Sequence, residues 1–196
     1  MKNLFLISLI LILLLALPPA FSQNNGNGEK NNKKTPPKER IFFGGNFNIA
    51  FGTNYANIEI SPIVGYHLTS RLELATGPIY MYFKDQLFAD YNTHIFGGRI
   101  YTRYHVIKNI DNILPLNTNL GIFGHAEYAG LSLENQYFGF DIINEGRFWD
   151  HNVLVGGGIR QPIGGKAYIF ISFLYNLDED YGSLYSSPVV RFGLIF

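Results

Sequence analysis

Nine ionisable residues recur on stretches of this chain that otherwise alternate with apolar side chains: Glu59, Glu73, Arg99, Arg103, His125, Glu127, Asp150, Arg160 and Arg191. Two kinds of chemistry can be drawn from them. His125 and Glu127 are two residues apart, which on a strand projects them side by side, and with Ser172 they could be drawn as a hydrolytic triad. No G-x-S-x-G elbow or H-E-x-x-H zinc pair accompanies them. The residues therefore argue against an enzyme and call for no metal and no cofactor. The other chemistry is charge pairing. Glu59, Glu73, Glu127 and Asp150 stand against Arg99, Arg103, Arg160 and Arg191, four against four. A charge removed from water must find a partner, because an unpaired one is heavily penalised.

The elements that must position these charges have period two. From Ile41 onward no helical periodicity persists. Eight alternating segments appear: Phe43 to Phe51, Asn57 to Leu68, Leu72 to Phe83, Ile95 to Val106, Asn117 to Gly130, Phe148 to Arg160, Ala167 to Leu177 and Pro188 to Phe196. Their lengths suit tilted strands that cross a bilayer. An even number suits antiparallel closure. The seventh segment is apolar on both faces, so its facing stays open. Pro62 and Pro78 sit inside strands and cannot donate to a ladder, which predicts bulges or gaps there. Gly156-Gly157-Gly158 and Gly164-Gly165 precede no helix, so they are not phosphate loops.

Alternation does not say which face is inside. The polar faces hold the balanced charges. The opposite faces hold aliphatic and aromatic groups, with Tyr66, Tyr82, Tyr104, Tyr128 and Trp149 near strand ends, as interfacial girdles do. Apolar residues outside and charges in the lumen describe a membrane barrel. A lipocalin-type soluble barrel, with the faces exchanged, is the competing fold. In the membrane arrangement Glu73 pairs with Arg103 and Arg99 with Glu127, with His125 between. An eight-stranded barrel is just wide enough for side chains to fill. The lumen is thus expected to be plugged by salt bridges rather than to conduct.

Composition sets outer bounds. There are 15 basic and 15 acidic side chains, so the net charge is zero, and nucleic acid, which needs a basic footprint, is excluded as a partner. Cysteine is absent, which removes disulfides, thiolate sites and a lipoprotein anchor. Residues 1–22 read as a secretory signal peptide: Lys2, an apolar run from Leu4 to Leu17, Pro18-Pro19, and small residues at Ala20 and Ser22. Residues 23–39 read as a solvated linker without large apolar groups. Residues 40–196 are the barrel domain. The outer loops are expected at Gly52 to Tyr55, Lys84 to Thr93, Leu131 to Arg147 and Asn176 to Ser187. The periplasmic turns are expected at Thr69 to Arg71, Lys108 to Leu116 and Gln161 to Lys166.

The ending Phe192-Gly193-Leu194-Ile195-Phe196 resembles the C-terminal assembly signal of bacterial outer-membrane barrels, with Phe192, Gly193, Leu194 and Phe196 as its marks. The chain as a whole resembles the small OmpA/OmpX-like outer-membrane β-barrel domains of Gram-negative bacteria. The resemblance is carried by Ile60 to Tyr66 before the turn Thr69-Ser70-Arg71, by Arg103-Tyr104, by Val155 to Pro162, by Leu174-Tyr175-Asn176 and by the ending. It covers about Arg40 to Phe196. It implies an eight-stranded antiparallel transmembrane barrel in the outer membrane, with outer-membrane lipid and the barrel assembly machinery as partners. It names no reaction, no solute and no partner for the outer loops. The short first loop departs from long-loop members. The expected role is structural or surface interaction; a narrow conduit for small or apolar molecules is the alternative, and a lipid-modifying enzyme a more distant one.

Overall fold

The structure is a computed structural model, and it describes residues 37–51, 55–85, 91–114, 118–138, 146–179 and 183–196. The expected signal peptide and most of the linker lie outside the described residues. The described chain starts with a short 3-10 turn, Pro37–Arg40, and then enters the sheet.

Eight strands form one closed antiparallel barrel in sequence order. They are β1 (Ile41–Phe51), β2 (Tyr55–His67), β3 (Leu72–Asp85), β4 (Tyr91–Ile107), β5 (Gly121–Glu134), β6 (Arg147–Gly164), β7 (Ala167–Asn176) and β8 (Val189–Ile195). Each segment read from alternation overlaps one strand. The closing contact pairs β1 with β8 over four rungs, from Gly44↔Ile195 to Phe47↔Phe192. Reciprocal bonds between Phe43 and Phe196 extend it, at 3.1 and 2.9 Å. The two chain ends of the barrel share one end with the β2–β3, β4–β5 and β6–β7 connections, called here the turn end. The opposite end is the loop end.

Several boundaries differ from expectation: β3 runs on to Asp85 and β4 starts at Tyr91, both inside the expected loop from Lys84 to Thr93. β6 runs through Gln161 to Gly164, so the expected turn from Gln161 to Lys166 shrinks to Gly165-Lys166. Gly164 at φ +136° and Gly165 at φ +57° supply the backbone angles that a tight reversal needs. β5 starts at Gly121, not Asn117, and continues to Glu134. The expected outer loop from Leu131 to Arg147 therefore begins inside the wall, with Leu131 and Leu133 buried in the lumen. A short helix, α1 (Asn135–Phe138), follows. The two prolines face each other across β2 and β3. The ladder lapses between Ile60↔Tyr80 and Val64↔Thr76 without a change of register, and the Ser61 hydroxyl donates to the Pro78 carbonyl at 2.7 Å across the gap.

The facing is inside-out relative to a soluble barrel. Phe43, Phe47, Ile60, Phe96, Phe173 and Phe192 are exposed on the outer wall, while Glu59, Glu73, Arg103 and Arg191 are at most 1 % exposed inside it. β7 turns Tyr168, Phe170, Ser172, Leu174 and Asn176 inward and Ile169, Phe173 and Tyr175 outward.

Candidate functional site: the charged lumen

Alternation puts Glu73, Arg103 and His125 on inward positions, and register puts them at one depth. Glu73 of β3 is directly opposite Arg103 of β4, which is opposite His125 of β5. Glu73 is the hub of the turn-end cluster. Its Oε1 lies 3.2 Å from Arg103 Nη1 and accepts from the Tyr168 hydroxyl at 3.1 Å. Its Oε2 lies 3.2 Å from His105 Nε2 and 3.5 Å from His67 Nδ1. Arg103 Nη1 also donates to the Tyr168 hydroxyl at 3.4 Å, and the guanidinium otherwise sits against ring faces, 4.1 Å from the Phe170 centroid, 4.5 Å from Phe123 and 5.0 Å from Tyr101. Its Nε and Nη2 have no oxygen partner; the ring quadrupoles take that place.

One layer further along, Tyr101 stacks on His125 at 4.8 Å. His125 Nε2 lies 3.1 Å from Glu127. Here two carboxylates and two guanidiniums form a four-membered cluster. Arg191 Nη1 lies 2.6 Å from each oxygen of Glu127. Arg99 donates to Glu59 and approaches Glu127 at 3.8 Å. Arg191 Nε is 3.8 Å from Glu59. Each arginine thus lies within ion-pair distance of both carboxylates.

The loop end is closed by carbon. Tyr185, from the β7–β8 connection, reaches into the barrel, donates its hydroxyl to Glu59 at 2.9 Å and lies under Arg191, 5.1 Å from ring centroid to guanidinium. Around it pack Met81, Ile95, Leu131, Leu154 and Leu174. Asn176 holds the segment in place, donating to the Tyr185 carbonyl at 3.2 Å, to Ser183 at 3.1 Å and to Asn152 at 2.7 Å. A second apolar cluster, with Phe42, Ile63, Phe123 and Phe170, lines the turn end.

Seven of the nine expected lumen residues meet in these two clusters. Asp150 and Arg160 do not. Asp150 is half-buried toward the loop end and accepts from Asn152 at 2.9 Å. Arg160 is at the turn end, over the Tyr168 ring at 5.2 Å and 3.5 Å from the Lys108 carbonyl. Both keep inward parity, but each is at a rim, beyond reach of the ion pairs. Sequence reasoning missed Tyr168 and Tyr185. The first stood on the strand whose facing was open, and the second stands in a connection with no periodicity. His67 and His105 were placed on polar faces but not joined to Glu73.

The arrangement does not build a triad. Ser172 is buried inside the same barrel, but its hydroxyl makes no bond to His125 among the described contacts. Among the described residues no group of His, Asp and Glu has the geometry of a metal centre. The chemistry on hand is charge neutralisation among three buried arginines and three buried glutamates.

No protein-family model matches the chain, and no curated protein matches it. Among solved structures, it is similar to the crystal structure of the N-terminal β-barrel domain of Pseudomonas aeruginosa OprF. The identity is 15%, the TM-score 0.50, and the match covers 80% of this chain and 96% of that one. At that identity the likeness is one of fold: this chain shares the architecture of that bacterial barrel domain.

Proposed function

We propose that this chain is an integral outer-membrane β-barrel protein with a structural or surface-interaction role and a lumen plugged by its own side chains. The observation that supports this most is the facing. Large apolar side chains cover the outer wall, while a neutral lattice of Glu59, Glu73, Glu127, Arg99, Arg103 and Arg191 fills the inside. Only a solvent as apolar as lipid rewards that arrangement. The similarity to an OprF barrel domain supports the same address. The Tyr185 segment and α1, at the loop end, are the surfaces offered to partners. The reading assigns no reaction, and a His125→Ala variant is expected to leave lipid A chemistry unchanged.

The test has two parts. The folded protein, extracted in detergent, is expected to migrate faster on a gel before boiling than after; recovery from a soluble fraction without detergent would overturn the reading. In planar bilayers the plugged barrel is expected to give no stable conductance.

One observation favours a second reading, a narrow conduit. Arg99 and Arg191 each lie within 3.8 Å of both Glu59 and Glu127, so the cluster can exchange partners without leaving a charge unpaired. Stable single-channel conductance, altered in Arg103→Ala, would support this conduit and sink the plug.

A further inference from the structure

Charges at the two rims of the barrel are sorted by end. The turn end carries Lys38, Arg40, Arg71, Lys108, Arg160 and Lys166 against Glu39 and Asp111. The loop end includes Glu134, Asp150, Asp178 and Glu179 against Lys84 and Arg147. Three of the turn-end cations converge on one short piece of backbone. Arg71 Nη1 donates to the Val106 carbonyl at 3.0 Å. Arg160 Nη2 lies 3.5 Å from the Lys108 carbonyl, and its Nε is buried without a partner. The Lys108 ammonium is held below the usual lysine range, first by partial burial and then by the positive charges of Arg71 and Arg160. An anion placed here would relieve that repulsion.

An apolar groove of about 660 Å³ on the outer wall has Arg160, one of these cations, in its lining. Leu120, Arg160 and Gln161 form its turn-end portion, and Ile169, Phe192 and Leu194 carry it toward the β1–β8 seam. Gly45 leaves it open. A Cβ built at Gly45 meets nothing closer than the Ser61 carbonyl at 3.5 Å, whereas at Gly44 the Leu194 carbonyl would be 2.3 Å away and at Gly193 the Phe170 ring would be 2.3 Å away. Backbone packing demands glycine at the last two positions and not at Gly45. The space beside Gly45 is therefore a feature of the surface and not a by-product of strand contact.

We propose that this groove and the adjoining Arg71–Lys108–Arg160 rim form a binding site for an anionic phospholipid, one acyl chain lying in the groove and the phosphate on the cations. The site rests on the membrane reading given above. A second copy of the chain fits it poorly. In one membrane orientation a twofold partner presents the same cations, and a convex barrel wall does not fill a concave groove.

The test is native mass spectrometry of the full mature protein released from detergent micelles, with phosphatidylglycerol and phosphatidylcholine of equal chain length offered in competition. Heat-modifiable migration is scored first on each sample. The expected result is selective retention of phosphatidylglycerol. Lys108→Gln should weaken it by about fivefold, the worth of one cation near a lipid surface. Gly45→Phe should displace the lipid while the barrel stays heat-modifiable. Lys38→Gln, on the same end but away from the three cations, should change nothing. Equal retention of both lipids by a heat-modifiable barrel would overturn the site alone, as would an unaltered preference in Lys108→Gln. Competition by soluble glycerol phosphate as strong as by the lipid would overturn the role of the groove. A protein that shows no heat-modifiable form would overturn the membrane reading, and the site with it.

Discussion

Arg191 Nη1 sits 2.6 Å from both carboxylate oxygens of Glu127, and both side chains are sealed inside the barrel. β8 and β5 bring them together across the lumen, so this pair ties the closing strand to the opposite wall. Glu127→Ala leaves Arg191 without its nearest anion and is expected to destabilise the barrel by about 3–5 kcal/mol. The double variant Glu127→Leu with Arg191→Met removes both charges and should recover most of that loss. Urea unfolding in lipid vesicles, followed by heat-modifiable migration, measures both; additive losses would show that the pair is not coupled.

Tyr185 fills the loop end and bonds the Glu59 carboxylate at 2.9 Å. Tyr185→Phe keeps the ring and deletes the hydroxyl, at an expected cost of about 1.5–3 kcal/mol, the range for a hydrogen bond to a charged group. The same unfolding assay reads it. An unchanged midpoint would mean that Tyr185 acts by ring packing alone.

Two glycines of the seam are expected to respond oppositely. At Gly193 a Cβ would stand 2.3 Å from the Phe170 ring, so Gly193→Ala must displace that ring from Arg103 and should cost about 1–3 kcal/mol. At Gly45 the added methyl has room, and Gly45→Ala should stay within about 0.5 kcal/mol. Folding yield into vesicles compares the two directly.

The Tyr185 segment has an acid-sensitive clasp. Glu179 accepts from the Ser187 N–H at 3.2 Å. Hydrogen bonds from Ser187, the side-chain one first, hold its carboxyl below the ordinary value of 4.5. A depressed carboxylate stabilises the folded loop at pH values above 4.5 and loses that contribution as pH falls through its lower folded value. The protection of the amides at residues 183–188 against exchange, taken relative to the intrinsic rate at each pH, should therefore fall in acid below that value. Glu179→Gln should show the lower protection already at neutral pH, with little further change on acidification.

Much of the wall could be read from alternation, because one face of each strand turns apolar side chains outward and the other turns polar or charged ones inward. The reading weakened where that contrast disappears. At the loop end the lumen itself is apolar, so Leu131 and Leu133 looked like the start of a connection although they point inward. On β7, Tyr168 and Phe170 supply rings for Arg103 and Glu73, while Ile169 and Phe173 on the other face are equally apolar; no pattern distinguishes them. Glu73 and Arg103 could be matched because they lie on neighbouring strands. Arg191 with Glu127 could not, because that contact spans the barrel between strands that do not touch. Tyr185 gave no signal at all, since its position depends on how Asn176 and Asn152 fold its segment inward.

The four-rung seam bears on the order of assembly. Every other strand pair is joined by a local connection and can zip as a hairpin. β1 and β8 are the two most distant strands in sequence, and their pairing from Phe43–Phe196 to Phe47–Phe192 is the shortest in the sheet. Loop-closure entropy places such a non-local contact late. The barrel is therefore an open, curling sheet for most of its formation, with Phe42 to Phe47 on one unsealed margin and Phe192 to Phe196 on the other. Closure and first rupture fall on the same line, which makes the Phe47–Phe192 rung the latch of the whole cylinder.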